Sequence, residues 1–334
     1  MSLRRRMSRS DDRRRIRWKR LCLPVAVAVL LAASPRTASP DIKVSAPERP
    51  TLTFAVISDI HVQSWNRAAI RKFEAALSDL SKAAPQAQVL VLNGDLGDGH
   101  PDDYRTLQSL LAARPHPPNV FCTIGNHEFY MAWHNVRRQW SDESFPNGET
   151  EAASIRRFLQ FVREPRVYYR KEVAGYPFIF LGMERYRQSD PSLHEDAYLS
   201  PEQLRWLGKT LAGAARSGRR PMFVFLHQPL PGPSSTERGV VPADALKTEL
   251  ASAPGVILFT GHTHRELRLG ASETGRPESL GFAAFNSSSA ASPWPGSGKS
   301  EGLIVEVYPS EVVVKGRDFA RRRWIPEARY SVKY

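Results

Sequence analysis

Six short apolar runs punctuate the chain, each closed by polar residues: Leu52–Ile57, Val89–Leu92, Val120–Ile124, Phe178–Leu181, Met222–Leu226 and Val256–Phe259. Unbroken apolar runs of this length predict strands covered on both faces. Helical patterns lie between them. From Asn66 to Leu80, the residues Ile70, Phe73, Leu77 and Leu80 fall on one stripe. A second helix starts at Ser200 as N-cap, with Pro201 in the first helical position and Gln203 placed to complete a capping box. Leu204, Leu207 and Leu211 form its buried face. Strands alternating with helices predict an α/β fold. The pattern changes after residue 280. Leu280–Phe285, Leu303–Val307 and Glu311–Lys315 read as late strands with short connections, which a purely doubly wound sheet does not accommodate. Residues 286–300, rich in Ser, Gly, Ala and Pro, read as a long loop. Residues 129–166 stand apart, with Trp133, Trp140, Phe145 and Phe158 among Arg137, Arg138, Arg156, Arg157 and Arg163. They suggest an insertion or lid over one edge of the core, with aromatic packing as the plainer alternative.

Charge first suggests nucleic acid, until it is located. The formal charge is +13, but residues 1–20 carry ten basic residues against Asp11 and Asp12, and from Asp41 onward the net charge is only +4. No nucleic-acid partner is therefore expected of the body of the chain. The basic run leads into an apolar stretch, Leu21–Ala33, and then into small residues, Ser and Pro. These are the three parts of an export signal. The stretch is shorter than the roughly 20 residues of a spanning helix. Residues 1–40 thus predict a signal peptide that engages the export machinery, or an uncleaved basic anchor at a membrane. Either implies a periplasmic or extracellular protein. Residues 41–50 read as a linker, 51–320 as one domain carrying the 129–166 insertion, and 321–334 as a C-terminal extension. Cys22 lies in the leader, so Cys122 is the only cysteine left after its removal, and no internal disulfide can form.

The chemistry-bearing residues gather after the apolar runs. Asp59 and His61 follow the first, Gly94-Asp95 and Asp98 the second, and Gly125-Asn126-His127-Glu128 the third. His227 ends Met222–Leu226, and Gly261-His262-Thr263-His264 follow Val256–Phe259. Strand carboxyl ends converge on one edge of an open α/β sheet, so residues distant in sequence can build one site there. Carboxylates, an amide oxygen and imidazoles are sufficient donors for two divalent ions. Each residue alone has a plainer explanation. A single histidine is usually a hydrogen-bonded core side chain, Ser58 and Thr263 suit strand ends and turns, and Glu128 suits a structural role. His134 and His194 read as surface groups, and His100 and His116 as loop residues. Phe129 and Tyr130 fit either the entrance of a site or the core, and Arg137 and Arg138 either a phosphate contact or a solvated face.

Taken together and in order, Asp59-Ile60-His61, Gly94-Asp95-Leu96-Gly97-Asp98, Gly125-Asn126-His127-Glu128, His227 and Gly261-His262-Thr263-His264 resemble the five blocks of the calcineurin-like metallophosphoesterases. The resemblance implies a four-layer αββα sandwich of two mixed sheets flanked by helices. It implies a dinuclear centre in which Asp59, His61 and His264 hold one ion, Asn126, His227 and His262 hold the other, and Asp95 bridges them. His127 would act on the leaving-group or a phosphoryl oxygen, with Asp98 orienting it. The ions would be manganese, iron, zinc or cobalt, and would activate a water to attack phosphorus. The substrate would be a phosphorylated small molecule or lipid. Asp98 stands where purple acid phosphatases carry tyrosine, which argues against that subgroup. Two alternatives remain: a phosphodiesterase acting on cyclic nucleotides or phospholipid headgroups, and a noncatalytic metal-binding surface protein on the same scaffold.

Overall fold

The computed structural model describes residues 49–334, apart from 219–220, 232–238, 273–279 and 297; the leader and most of the linker lie outside the described residues. In chain order the elements are β1 (Leu52–Ile57), α1 (Arg67–Ala83), β2 (Val89–Asn93), α2 (Pro101–Ala113), β3 (Asn119–Thr123), α3 (Glu151–Val162), β4 (Tyr169–Val173), β5 (Tyr176–Phe180) and β6 (Ala197–Tyr198). They continue with α4 (Pro201–Arg216), β7 (Met222–Phe225), β8 (Val240–Val241), α5 (Ala243–Ala251), β9 (Val256–Thr260), β10 (Ala283–Asn286), β11 (Glu301–Val307), β12 (Glu311–Asp318) and β13 (Arg323–Lys333). None of the described helices is long and apolar enough to cross a membrane.

Two mixed sheets result. The first has six strands in the order β13-β12-β11-β1-β2-β3, and the second five in the order β10-β9-β7-β5-β4. Strand β1 shows why the apolar runs are unbroken. Leu52, Phe54 and Val56 point into the core between the sheets, whereas Ala55 and Ile57 point to the core beneath the helices. Both faces are dry, so the alternation of a half-exposed strand is absent from the sequence. The sheets are thus sandwiched between helices, the αββα arrangement expected. The late strands explain the misfit with a doubly wound sheet: β11 returns antiparallel beside β1, and β12 and β13 extend the same edge. Residues 321–334 are accordingly not an extension. Arg323–Lys333 is the edge strand of the six-stranded sheet, with Ala328 fully buried.

Aromatic side chains fill the space between the sheets. Phe54 lies edge-on to Phe223 and Phe178, with ring centroids 4.8 and 5.1 Å away. Removing that ring leaves a cavity that neither sheet can close without disturbing its ladder. Phe54→Ala is therefore expected to cost about 3–5 kcal/mol, to be read as a fall in the urea midpoint with unchanged slope. A loss below 1 kcal/mol would mean the sheets re-pack more freely than this interface allows.

Helix starts follow the sequence closely. Asn66 accepts from the Ala69 amide at 3.1 Å, and Ser200 accepts from the Gln203 amide at 3.2 Å. The capping box at Ser200 is only half made. Gln203 turns inward instead, bonding the Gly182 amide and carbonyl at 3.0 and 2.9 Å. Its side chain satisfies buried backbone after β5, a need that local sequence cannot reveal.

Candidate metal centre

Strands β1, β2 and β3 run parallel to one another, as do β7 and β9. Their carboxyl ends share one rim of the sandwich, and the loops that leave them carry the polar blocks. The turns there are unusually tight. Asp59, His61, Asp95, His262 and His264 all have positive φ, between 43° and 70°, where side chains other than glycine are disfavoured. Neighbouring glycines make room: a Cβ on Gly94 would meet the His227 ring, and one on Gly125 would meet the Asp95 carboxylate. Such strain persists only where the surroundings over-determine it, and it concentrates at functional sites.

Asp59, His61, Asp95 and His264 present ligand atoms that all lie within 4.8 Å of one another. Asp95, His227 and His262 form a second such group, so Asp95 belongs to both. Asn126 joins the second group, its Oδ1 3.0 Å from His262 Nδ1. His264 Nε2 lies 3.0 Å from both His61 Nε2 and Asp59 Oδ1, and His227 Nε2 lies 3.1 Å from Asp95 Oδ2. His127 and Asp98 complete the constellation: Nδ1 of His127 is 2.9 Å from Asp98 Oδ1, and its Nε2 is 3.7 Å from Asp95 Oδ2. All nine residues singled out by sequence are therefore brought to one place.

Whether these residues fit metal ions can be judged from their outward bonds. The His227 Nδ1–H donates to the Asn93 carbonyl at 2.8 Å, which leaves Nε2 with a lone pair aimed at Asp95 and Asp59. The His264 Nδ1–H likewise reaches the Ser292 carbonyl at 3.1 Å, freeing Nε2. Asp59 uses Oδ2 to accept from Ser58 Oγ and the His262 amide. Its Oδ1 and the His227 Nε2 are then buried without any hydrogen-bond partner. Lone pairs and carboxylate oxygens that converge at about 3 Å call for a cation between them. Charge agrees. His61 and His262 are pulled down to about 4 by burial, then by the neighbouring imidazoles His127 and His227 respectively, which keeps them neutral and able to ligate. Burial also opposes charge on His227, yet Asp95 and Asp59 outweigh it and raise it to about 10, a measure of how strongly the carboxylates demand positive charge there. The donor set fits a pair of metal ions.

Supporting residues surround these donors, and Glu128 takes the structural role its context suggested. Glu128 is fully buried and accepts from the amides of Gly125 and Leu96 at 2.6 and 2.9 Å, tying the second polar block to the third. The loop after β10 begins as a buried strut. Ser287, Ser288 and Ser289 are inaccessible, Ser289 Oγ donates to the Asp59 carbonyl at 2.9 Å, and Ser292 holds His264. Tyr130 stacks on His127 with ring centroids 3.8 Å apart, while Phe129 is core. Glu195 reaches Asn126. Low-complexity composition concealed the serine strut, and Glu195 belongs to no block.

His134 and His100 are corrections. Neither is a surface or simple loop group: both are buried, stacked at 5.0 Å between centroids and joined His100 Nε2 to His134 Nδ1 at 2.7 Å. One ring must stay neutral to accept that bond. Burial and the adjacent imidazole pull His100 down to about 4. A folded-state value below the unfolded one, near 6.5, means the unfolded chain binds the proton first. Stability from this pair is present above pH 6.5 and is lost as pH falls toward 4. His100→Asn should flatten the pH dependence of the melting temperature across that window. A curve parallel to wild type would show that the pair does not carry the titration.

The fold and the site together define a hydrolytic dinuclear metal centre at the rim of an αββα sandwich. The family profile of the calcineurin-like phosphoesterases matches residues 52–266. The chain belongs to that family and is a metal-dependent phosphoesterase. Among solved structures it is similar to a dimetal phosphatase from Danio rerio at 18% identity and TM-score 0.59, over 85% of this chain and 99% of that one. It is also similar to the purple acid phosphatase PPD1 from yellow lupin (Lupinus luteus) seeds, at 14% identity and TM-score 0.55, over 84% of this chain and 53% of that one. These likenesses concern the fold alone. No curated protein matches the chain significantly.

Proposed function

We propose that the chain hydrolyses phosphoesters with diesters inside its range, using Asp59, His61 and His264 for one metal ion, Asn126, His227 and His262 for the other, and Asp95 between them. When bound, two such ions supply Lewis acidity toward a phosphoryl group and toward water. The protein's part is to hold the donors apart from competing hydrogen bonds, as the outward bonds of His227, His264 and Asp59 do. His127 holds its imidazole plane between Asp98 and the Tyr130 ring. Burial disfavours its charge, but Asp95 and Asp98 overcome that and raise it to about 9. The hydrogen bond to Asp98 lies on the side of the ring away from Asp95 and would persist with ions bound there. A proton at Nε2 is thereby available to a phosphoryl or leaving-group oxygen.

One observation favours diesters. A pocket for a dianionic monoester would be lined by free cations, and the arginines of the 129–166 segment are one candidate source. Arg138 is already paired with Asp102 at 2.6 Å and Arg157 with Glu149 at 2.6 Å, which leaves fewer of them for a phosphate dianion. The decisive assay compares p-nitrophenyl phosphate with bis-p-nitrophenyl phosphate on manganese-loaded protein, with Asp95→Asn as control. Asp95-dependent cleavage of the diester at a rate equal to or above the monoester is expected; cleavage of the monoester alone would replace this proposal by a phosphomonoesterase. Export is the companion proposal, supported by the basic-apolar-small order of residues 1–40. Cell fractionation that found the intact chain in the cytosol would dismiss it.

A further inference from the structure

We propose that Glu195 is a positioning residue that holds the Asn126 amide with its oxygen toward the second metal position. The proposal rests on the metal assignment just given. An asparagine side chain has two ends of nearly equal shape, one an acceptor and the other a donor. Only the oxygen can ligate, so a half-turn about the terminal bond exchanges a ligand for a nitrogen that repels a cation. Some group must recognise the nitrogen end.

The loop between β5 and β6 supplies it. Asn126 Nδ2 donates to Glu195 Oε2 at 3.0 Å and to the Tyr130 hydroxyl at 3.1 Å, so both amide hydrogens are engaged. The oxygen end then faces His262 Nδ1 at 3.0 Å. A carboxylate suits this role because it can only accept, whereas a hydroxyl or amide could bond either end of the asparagine. Glu195 is itself held from several sides. The Tyr186 hydroxyl donates to Oε1 at 3.0 Å, the Tyr130 hydroxyl to Oε2 at 3.2 Å, and the Arg187 guanidinium to Oε1 at 2.7 Å. Arg187 lies over the Trp133 ring and balances the carboxylate, so no uncompensated charge is added beside the centre. The Glu195 carbonyl accepts from Gln228 at 3.1 Å, and Gln228 directly follows His227. One loop thus holds the ligand Asn126 and touches the residue next to a second ligand, His227.

The test measures manganese bound per chain by elemental analysis, and the affinity of the second ion by chelator competition, on purified protein. Wild type should hold two ions. Glu195→Ala should weaken the second about 10–100-fold, the usual cost of losing a partner that orients a ligand, and leave the first unchanged. Glu195→Gln, which keeps one acceptor oxygen, should recover part of the loss. The Asn126→Asp background separates orientation from structural support. A carboxylate has no wrong end to turn, so there Glu195→Ala and Glu195→Gln should weaken second-ion binding much less than in the Asn126 background. That dependence on the residue at position 126 is the signature of a positioning role. If Glu195→Ala does not fold, Glu195→Gln in the two backgrounds carries the same comparison. Second-ion affinity within threefold of wild type in a folded variant, or equal weakening in both backgrounds, would overturn the proposal. A wild-type protein that binds fewer than two ions would overturn the metal assignment first and this inference with it.

Discussion

Asp95→Asn should lower phosphoester hydrolysis by at least about a thousandfold, equivalent to roughly 4 kcal/mol of transition-state stabilisation. Asp95 is the one carboxylate common to both ligand groups, and it is almost completely buried. Its Oδ1 accepts from the His127 amide at 3.1 Å and its Oδ2 faces His227. An amide at this position keeps the shape but loses the charge that offsets two cations, and it can turn a nitrogen toward one of them. Burial alone would raise the Asp95 carboxyl, but His227 and His127 more than offset it and hold the group well below the ordinary carboxylate range. The negative charge is therefore built into the site. The measurement is kcat/KM on both p-nitrophenyl substrates together with metal content, which should fall from two ions to one or fewer. Retention of a tenth of the activity with both ions bound would refute the bridging assignment.

Metal removal carries the second large effect. A chelator should lower the melting temperature by about 8–16 °C. The magnitude follows from about 4 kcal/mol of linkage when the free ion is a thousandfold above its dissociation constant and from about 2–4 °C per kcal/mol for a domain of this size. The structural reason is local. Asp59 and Asp95 disfavour each other's charge, Asp59 Oδ1 and His227 Nε2 lack partners, and five of the donors sit on left-handed backbone. Cations placed among them relieve the repulsion and satisfy the orphaned atoms. Manganese should restore the melting temperature of wild type but not of Asp95→Asn. A chelator shift below 2 °C would indicate that the turns are held by the protein's own packing, with Glu128 and the Ser289 strut as the obvious agents.

How much was legible in advance depended on the range of the interaction. The central strands were readable because both of their faces are dry, so burial alone writes an apolar run into the chain; the half-exposed edge strands β4 and β13 lack such a run. Ser200 was readable as a cap because a cap bonds an amide three residues away. Gln203 was half misread because its partner, Gly182, is 21 residues distant. The same distinction governs the site. Asp59, His61, Asp95, Asp98, Asn126, His127, His227, His262 and His264 declared themselves through residue type and spacing after strand ends, since liganding chemistry admits few substitutes.

Their supports did not, because a hydrogen bond to backbone can be made by many residue types from almost anywhere in the chain. Ser289 beneath Asp59, Ser292 behind His264 and Glu195 beside Asn126 are common polar residues in loops that carry no motif. His134 read as a surface group and His100 as a loop residue until packing placed them against each other. The sequence by itself determined the α/β pattern, the family and the donor set, all of which rest on local periodicity and on the chemistry of individual side chains. Only the tertiary structure decided which donors share Asp95, which way each imidazole and the Asn126 amide turn, and which arginines are already committed, because each of these depends on contacts between segments that spacing along the chain does not encode.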